Sequence, residues 1–398
     1  MSEQLRVRAV LMRGGTSKGV FFHAEDLPAD PLERDRVLLR ALGSPDPYGR
    51  QIDGVGGATS STSKAVLISR STRPDCDVDY LFAQVSIDRA VIDYSGNCGN
   101  LTAAVGPFAI EEGLVPARDG TTTVRVWQAN TGKRILAHCP TPGGVPAVDG
   151  DFVVDGIPWP GAEVVLEFQE PGATACDAVL PTGAAVDLLD VPGDGAFEVS
   201  LVDAGIPLVV LAAASLGLGG DELPETLNRD AALLDRLESI RRCGAVAMRL
   251  GGSAEEVGRL RQASPKIALV AAPAAFVTTR GIAVEADGVD VLARIVSMER
   301  VHHAAPVTAT VALATAAAIP GTVVHRLLRP GREPDGPLRI GHPAGRSSVR
   351  ATLTRREGEW AVTGASLGRT ARRLMEGHVR VPASTVARRT VAPTAAVG

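Results

Sequence analysis

Two stretches of this chain carry helical spacing and no polar side. In DYSGNCGNLTAAVGPFAIEEG, residues 93–113, Leu101, Ala104, Val105, Phe108 and Ala109 recur at helical intervals until Glu111, Glu112 and the stop residue Gly113. In VHHAAPVTATVALATAAAIPG, residues 301–321, a polar entrance and a proline lead into a segment apolar on nearly every side. A helix without a polar face has to be enclosed by protein. Strand-like runs precede each one: RVRAVLMR, VFFH, KAVLIS, DYLFAQVS and AVIDY before the first, FEVSLVDAGIPLVVLAA, SPKIALVAAP and VLARIVSME before the second. At 398 residues the chain has enough length for two cores. The expected fold is therefore α+β, with two similar domains over residues 1–190 and 191–398. Each should be a curved, mostly antiparallel sheet around a central apolar helix. A further helix is expected within residues 28–42 and a surface helix over Asp221 to Arg242, while Pro107 should bend the first apolar helix or free the carbonyl near Ala103.

Charge and cysteine usage narrow the function. A formal net charge of -4 leaves no basic excess for a phosphate backbone, which argues against nucleic acid. The N-terminal MSEQLRVRAVLMRGG lacks the basic-then-apolar order of an export signal, and the apolar run from Ala304 to Ile319 falls short of a bilayer span, so no membrane is expected. Five scattered cysteines (Cys76, Cys98, Cys139, Cys176, Cys243) suit free thiols in a reducing cytoplasm. The histidines do not sit at ligand spacing with carboxylates, so no metal is expected.

Lysine is rare. Of 41 basic residues only Lys18, Lys64, Lys133 and Lys266 are lysine, the rest arginine. A lysine kept in such a chain marks a place where an amine able to lose its proton is needed, or else only codon bias. If the two apolar helices lie side by side, their N-termini face one cleft, where free amides and partial positive charge bind carboxylates. Gly96 and Gly99 then allow close backbone approach, Asn97 and Asn100 add amide donors, and Cys98 meets the bound anion. The alternative is a glycine turn holding an incidental buried cysteine.

The strings MRGGTSKGVFF, GRQIDGVGGATSSTSKAVLIS, PDCDVDYLFAQV and GNCGNLTAAVGPFA, in this order, resemble the PrpF-like family of 2-methylaconitate cis-trans isomerases. That family has the diaminopimelate epimerase-like fold and also includes 4-oxalomesaconate tautomerase and methylitaconate isomerase. The resemblance implies a catalytic pair, Lys64 and Cys98. It implies substrate contacts from Thr16, Ser17, Ser60, Ser61, Asn97, Gly99, Asn100 and Lys266, and it brings His302 and Thr308 to the far wall. No cofactor is implied, and pairing as a homodimer is left open. The second apolar helix departs from the family pattern: relatives tend to read HHAMMGTAAV where this chain has HHAAPVTATV. The substrate is thus least defined on that wall.

The fold's racemases use two thiols on opposite faces of a carbon, and the second helix entrance here offers His302, His303, Thr308 and Thr310 but no cysteine. A proton shift along an unsaturated tricarboxylate fits better. A neutral Lys64 amine would remove an allylic proton, the resulting dienolate could rotate about its former double bond, and return of the proton would fix the other geometry. The expected activity is 2-methyl-trans-aconitate to 2-methyl-cis-aconitate, with 4-oxalomesaconate tautomerisation or a methylitaconate-type shift as the alternative. A cysteine hydrolase would need a histidine on Cys98. A non-catalytic carboxylate-binding accessory protein would keep the cleft without turnover.

Overall fold

The computed structural model describes residues 3–387. The chain opens with β1 (Gln4–Gly14) folding back through a tight glycine turn onto β2 (Ser17–His23), followed by helix α1 (Pro31–Leu42). Asp30 caps α1 by accepting from the Glu33 N–H at 2.9 Å, and Gly43 ends it at φ 77°. β3 (Lys64–Arg70), β4 (Val78–Val85), α2 (Gly99–Glu111), β5 (Gly120–Gln128), β6 (Lys133–Thr141) and β7 (Val164–Gln169) follow. The second stretch contains β8 (Asp187–Val191), β9 (Gly195–Ala204), β10 (Ile206–Ala212), α3 (Ala231–Ala247), β11 (Lys266–Ala271), β12 (Val291–Ser297), α4 (Val307–Ala318), β13 (Leu338–His342) and β14 (Gly345–Arg356). β15 (Glu359–Arg369) and β16 (Ala371–Pro382) close the described chain.

The pairings repeat. From β1 to β6 neighbouring strands join antiparallel, parallel, antiparallel, parallel, antiparallel. From β9 to β14 they join in the same sequence. Each unit places one helix after its second strand (α1, α3) and another after its fourth (α2, α4). Pairing also runs across the division read at residue 190. β15 pairs with both β14 and β7, and β16 pairs with β1, so the last two strands complete the sheet around α2.

Both apolar helices are enclosed, as their sequences demand. Every residue of α2 from Gly99 to Ile110 is buried, and α2 packs against β1, β2, β5, β6, β7 and β16. α4 is buried from Val307 to Ala317 against β9, β10, β13 and β14. α2 runs on through Pro107. Two expectations are corrected. The Asp221 to Arg242 segment is no single surface helix: a short turn of helix at Pro224–Leu227 stops, and α3 restarts on Asp230, which accepts from the Leu233 N–H at 2.9 Å. Leu237, Ile240 and Ala245 then bury against the outer face of the second unit's sheet, in a cluster with Leu201, Val209 and Leu269. In AVIDY only Ile92–Asp93 pairs as strand. The Asp93 carboxylate turns to accept from the Ser95 N–H at 2.7 Å and the Ala263 N–H at 2.9 Å, which ends the ladder and ties the two units together. No helix among the described residues is long and apolar enough to cross a membrane.

Candidate active site

Lys64 is the first residue of β3, and Cys98 is the N-cap of α2. The Lys64 Nζ donates to Cys98 Sγ at 3.2 Å, and both residues are buried. The thiol makes no capping bond to its own helix, which leaves it directed to the lysine. The Cys98 carbonyl is pinned from behind by the Tyr80 hydroxyl at 3.2 Å and the Thr102 hydroxyl at 3.0 Å. The Lys64 amine also lies 5.2 Å from the centre of the Phe82 ring.

The second unit answers this arrangement position by position. Lys266 opens β11 as Lys64 opens β3, and Pro306 caps α4 where Cys98 caps α2. Lys266 Nζ donates to Ser297 Oγ at 2.7 Å and to the Ala263 carbonyl at 3.1 Å. Burial, then the neighbouring Lys64, push its amine down to about 7. The two helix N-termini face one another across a cavity of about 20 Å³, room for about one water molecule.

Of the residues read as substrate contacts, Ser17, Ser60, Asn97, Gly99, Asn100, Lys266, His302 and Thr308 line this cavity together with Lys64 and Cys98. Thr16 and Ser61 stand behind it. The Asn100 amide donates to Thr16 Oγ1 at 3.1 Å, and Ser61 Oγ lies 3.4 Å from His303 Nδ1. Thr16 therefore holds the lining residue Asn100, and Ser61 meets His303, outside the lining, rather than the space itself. His302 stacks on His303 with ring centroids 4.6 Å apart. Burial, the neighbouring His303 and Lys64 keep His302 well below the usual imidazole range, so it is neutral near pH 7. Asn97 Oδ1 is buried with no partner among the described residues. No three His, Cys, Asp or Glu side chains gather into a metal-holding group among the described residues.

A family profile described as PrpF protein matches residues 4–382. The chain belongs to the PrpF family. It is 50% identical to the 2-methyl-aconitate isomerase of Shewanella oneidensis, over 95% of this chain and 98% of that protein. The crystal structure of a methylitaconate-delta-isomerase superposes with a TM-score of 0.76 at 41% identity, covering 99% of this chain and all of the other. A hydroxyproline epimerase from Agrobacterium vitis aligns at TM-score 0.55 and 15% identity, over 95% of this chain and 93% of that one. That likeness is of fold alone, and the fold is the diaminopimelate epimerase-like one.

Within this PrpF chain, sequence reasoning missed Gln84, Ser297, Ile206, Ala263 and Val307, all of which line the cavity. The internal repeat was the signal available for two of them: Gln84 stands across the ladder from Lys64, and Ser297 bonds Lys266 from the matching strand. Val307 matters because it fills the space over Gly99. A Cβ built on Gly99 would run into the Val307 side chain and come within 3.4 Å of the Thr308 amide nitrogen. Gly99→Ala is expected to destabilise the protein by about 1–3 kcal/mol in a urea titration. Gly99→Ala should cost much less in a Val307→Gly background than in the wild type, and a purely additive double variant would contradict the contact.

Lys266 gives the PrpF chain a signature in pH. Its folded value of about 7 lies below the ordinary 10.5, so between these limits the unfolded chain binds a proton that the folded chain does not. Stability then rises with pH across that window, by at most about 1.4 kcal/mol per unit. Lys266→Met should flatten this slope, read as the difference between the two proteins' unfolding free energies from pH 7 to 10.

Proposed function

We propose that this chain is a cofactor-independent isomerase that interconverts the trans and cis forms of 2-methyl-aconitate by moving an allylic proton. The observation that carries the reading is the Lys64–Cys98 pair, 3.2 Å apart, at the mouth of one buried helix and facing the mouth of another. The half-identical relative named 2-methyl-aconitate isomerase supports the choice of substrate.

The chemistry follows from where these groups stand. The Lys64 amine takes a proton from the methylene that lies between a carboxylate and the double bond. The electron pair spreads through the conjugated system into the carboxylates, and the former double bond gains single-bond character and turns. The Cys98 thiol gives a proton to the same carbon, and its sulfur then takes the proton that Lys64 had accepted, 3.2 Å away, which restores both groups. Free N–H groups at the first turns of α2 and α4 complement the dienolate charge, and Lys266 takes on its full charge when a carboxylate comes beside it. A tricarboxylate held between the two helix mouths would meet the lining residues of both units. A cysteine hydrolase is disfavoured on geometry: the polar neighbours of Cys98 Sγ are Lys64 at 3.2 Å and Ser17 at 4.0 Å, with no histidine bonded to the sulfur.

An ultraviolet assay of the purified protein with 2-methyl-trans-aconitate, trans-aconitate and 4-oxalomesaconate tests the reading. Fastest turnover is expected on the methylated substrate. Turnover of 4-oxalomesaconate alone would replace the substrate, and no turnover of any of the three would leave a binding protein.

A further inference from the structure

We infer that Lys64 and Cys98 also form a covalent modification site, in which hydrogen peroxide oxidises the thiol and the lysine amine captures the product as a reversible sulfur–nitrogen bond. The pair is already in contact, with the Nζ 3.2 Å from the sulfur. The other four cysteines have no such partner. Burial pushes Cys139 up to about 12, and burial likewise raises Cys76, Cys176 and Cys243. Their thiols stay protonated and unreactive. Among the described residues Cys98 alone stands beside a lysine amine, in a cavity with polar walls.

The steps balance. In the first, the Cys98 sulfur attacks one peroxide oxygen: an S–O bond forms, the O–O bond breaks, and the other oxygen leaves as water with the thiol's proton. Sulfur is oxidised and the peroxide reduced, which gives a sulfenic acid. In the second, the Lys64 lone pair attacks that sulfur: an S–N bond forms, the S–O bond breaks, and hydroxide departs with an amine proton as water. No further change of oxidation state occurs. One peroxide has become two waters, and the two side chains have lost one hydrogen each. The amine is already in contact with the sulfur, whereas a second peroxide has to diffuse in, so the S–N bond forms first. Thiols undo the link: one attacks sulfur and releases the amine as a mixed disulfide, and a second frees Cys98.

The experiment is peroxide treatment of the whole protein, followed by intact mass, peptide mapping and recovery with dithiothreitol. The expected product is lighter by two hydrogens, with the peptides carrying Lys64 and Cys98 joined, and both mass and joined peptides revert on reduction. In Lys64→Arg the link cannot form, and Cys98 should instead gain two oxygens that dithiothreitol does not remove. A wild-type protein in which Cys98 gains oxygen while Lys64 stays free, or in which Cys98 stays unmodified, overturns the proposal. Because the readout is mass, it stands apart from whichever substrate the enzyme turns over.

Discussion

Lys64→Arg lowers kcat by at least about 10², while KM changes by much less. Arginine keeps the positive charge and much of the length, but its guanidinium stays protonated at any working pH and cannot accept a proton. The position leaves little latitude. Lys64 is buried at the head of β3, and its amine is fixed against Cys98 Sγ and the Phe82 ring. Steady-state kinetics with 2-methyl-trans-aconitate read the loss, and circular dichroism checks that the variant is folded. Deuterium uptake from heavy water should fall in step with kcat. Near-normal turnover in the arginine variant would remove Lys64 as the base and turn attention to Lys266, the lysine at the matching place in the second unit.

Phe108→Ala should cost about 3–5 kcal/mol of stability, the range for emptying a fully enclosed aromatic site. Phe108 lies at the heart of the first unit, with its ring centroid 5.4 Å from Phe21 and 5.3 Å from His23. Strands pack around α2 on every side, so the walls have little freedom to collapse into the space. A shift of the urea midpoint measures the effect. A cost under about 1 kcal/mol would mean that α2 is far less tightly held than its burial indicates. Activity should fall as well, because the same helix carries Cys98 at its first turn.

The parts of this molecule that were legible in the sequence share a cause: each was written locally. α2 and α4 announce themselves by lacking a polar face, and the Lys64 and Cys98 strings lie within single loops or strand ends. The rest depends on distant pairing. Nothing local in residues 359–382 shows that they will lie beside β7 and β1, because strand partners are chosen by the whole sheet. Thr16 and Ser61 lie next to lining residues in the chain, yet they face their neighbours' side chains, and only the folded backbone separates holding from lining. Ser297 was hidden for a similar reason. It ends an ordinary apolar strand, and its partner Lys266 stands 31 residues earlier in the chain. The break at Asp230 could have been read from its N-cap pattern, and it was overlooked because the surrounding charges looked like one continuous exposed face.

The placement of β16 sets an order on synthesis. β1 emerges from the ribosome early but gains its second neighbour only when residues 371–382 have been made, on the order of tens of seconds later at ordinary elongation rates. α2, which has no side suited to water, stays incompletely covered for that time. Strands β8 to β13 meet no such delay, since their partners lie within residues 187–356, and β14 waits only for the adjoining β15. The unit encoded second is thus the one able to finish first. The earlier half, with Lys64 and Cys98, waits for the end of the chain, and a nascent protein stalled before residue 359 would expose an apolar helix for chaperones to hold.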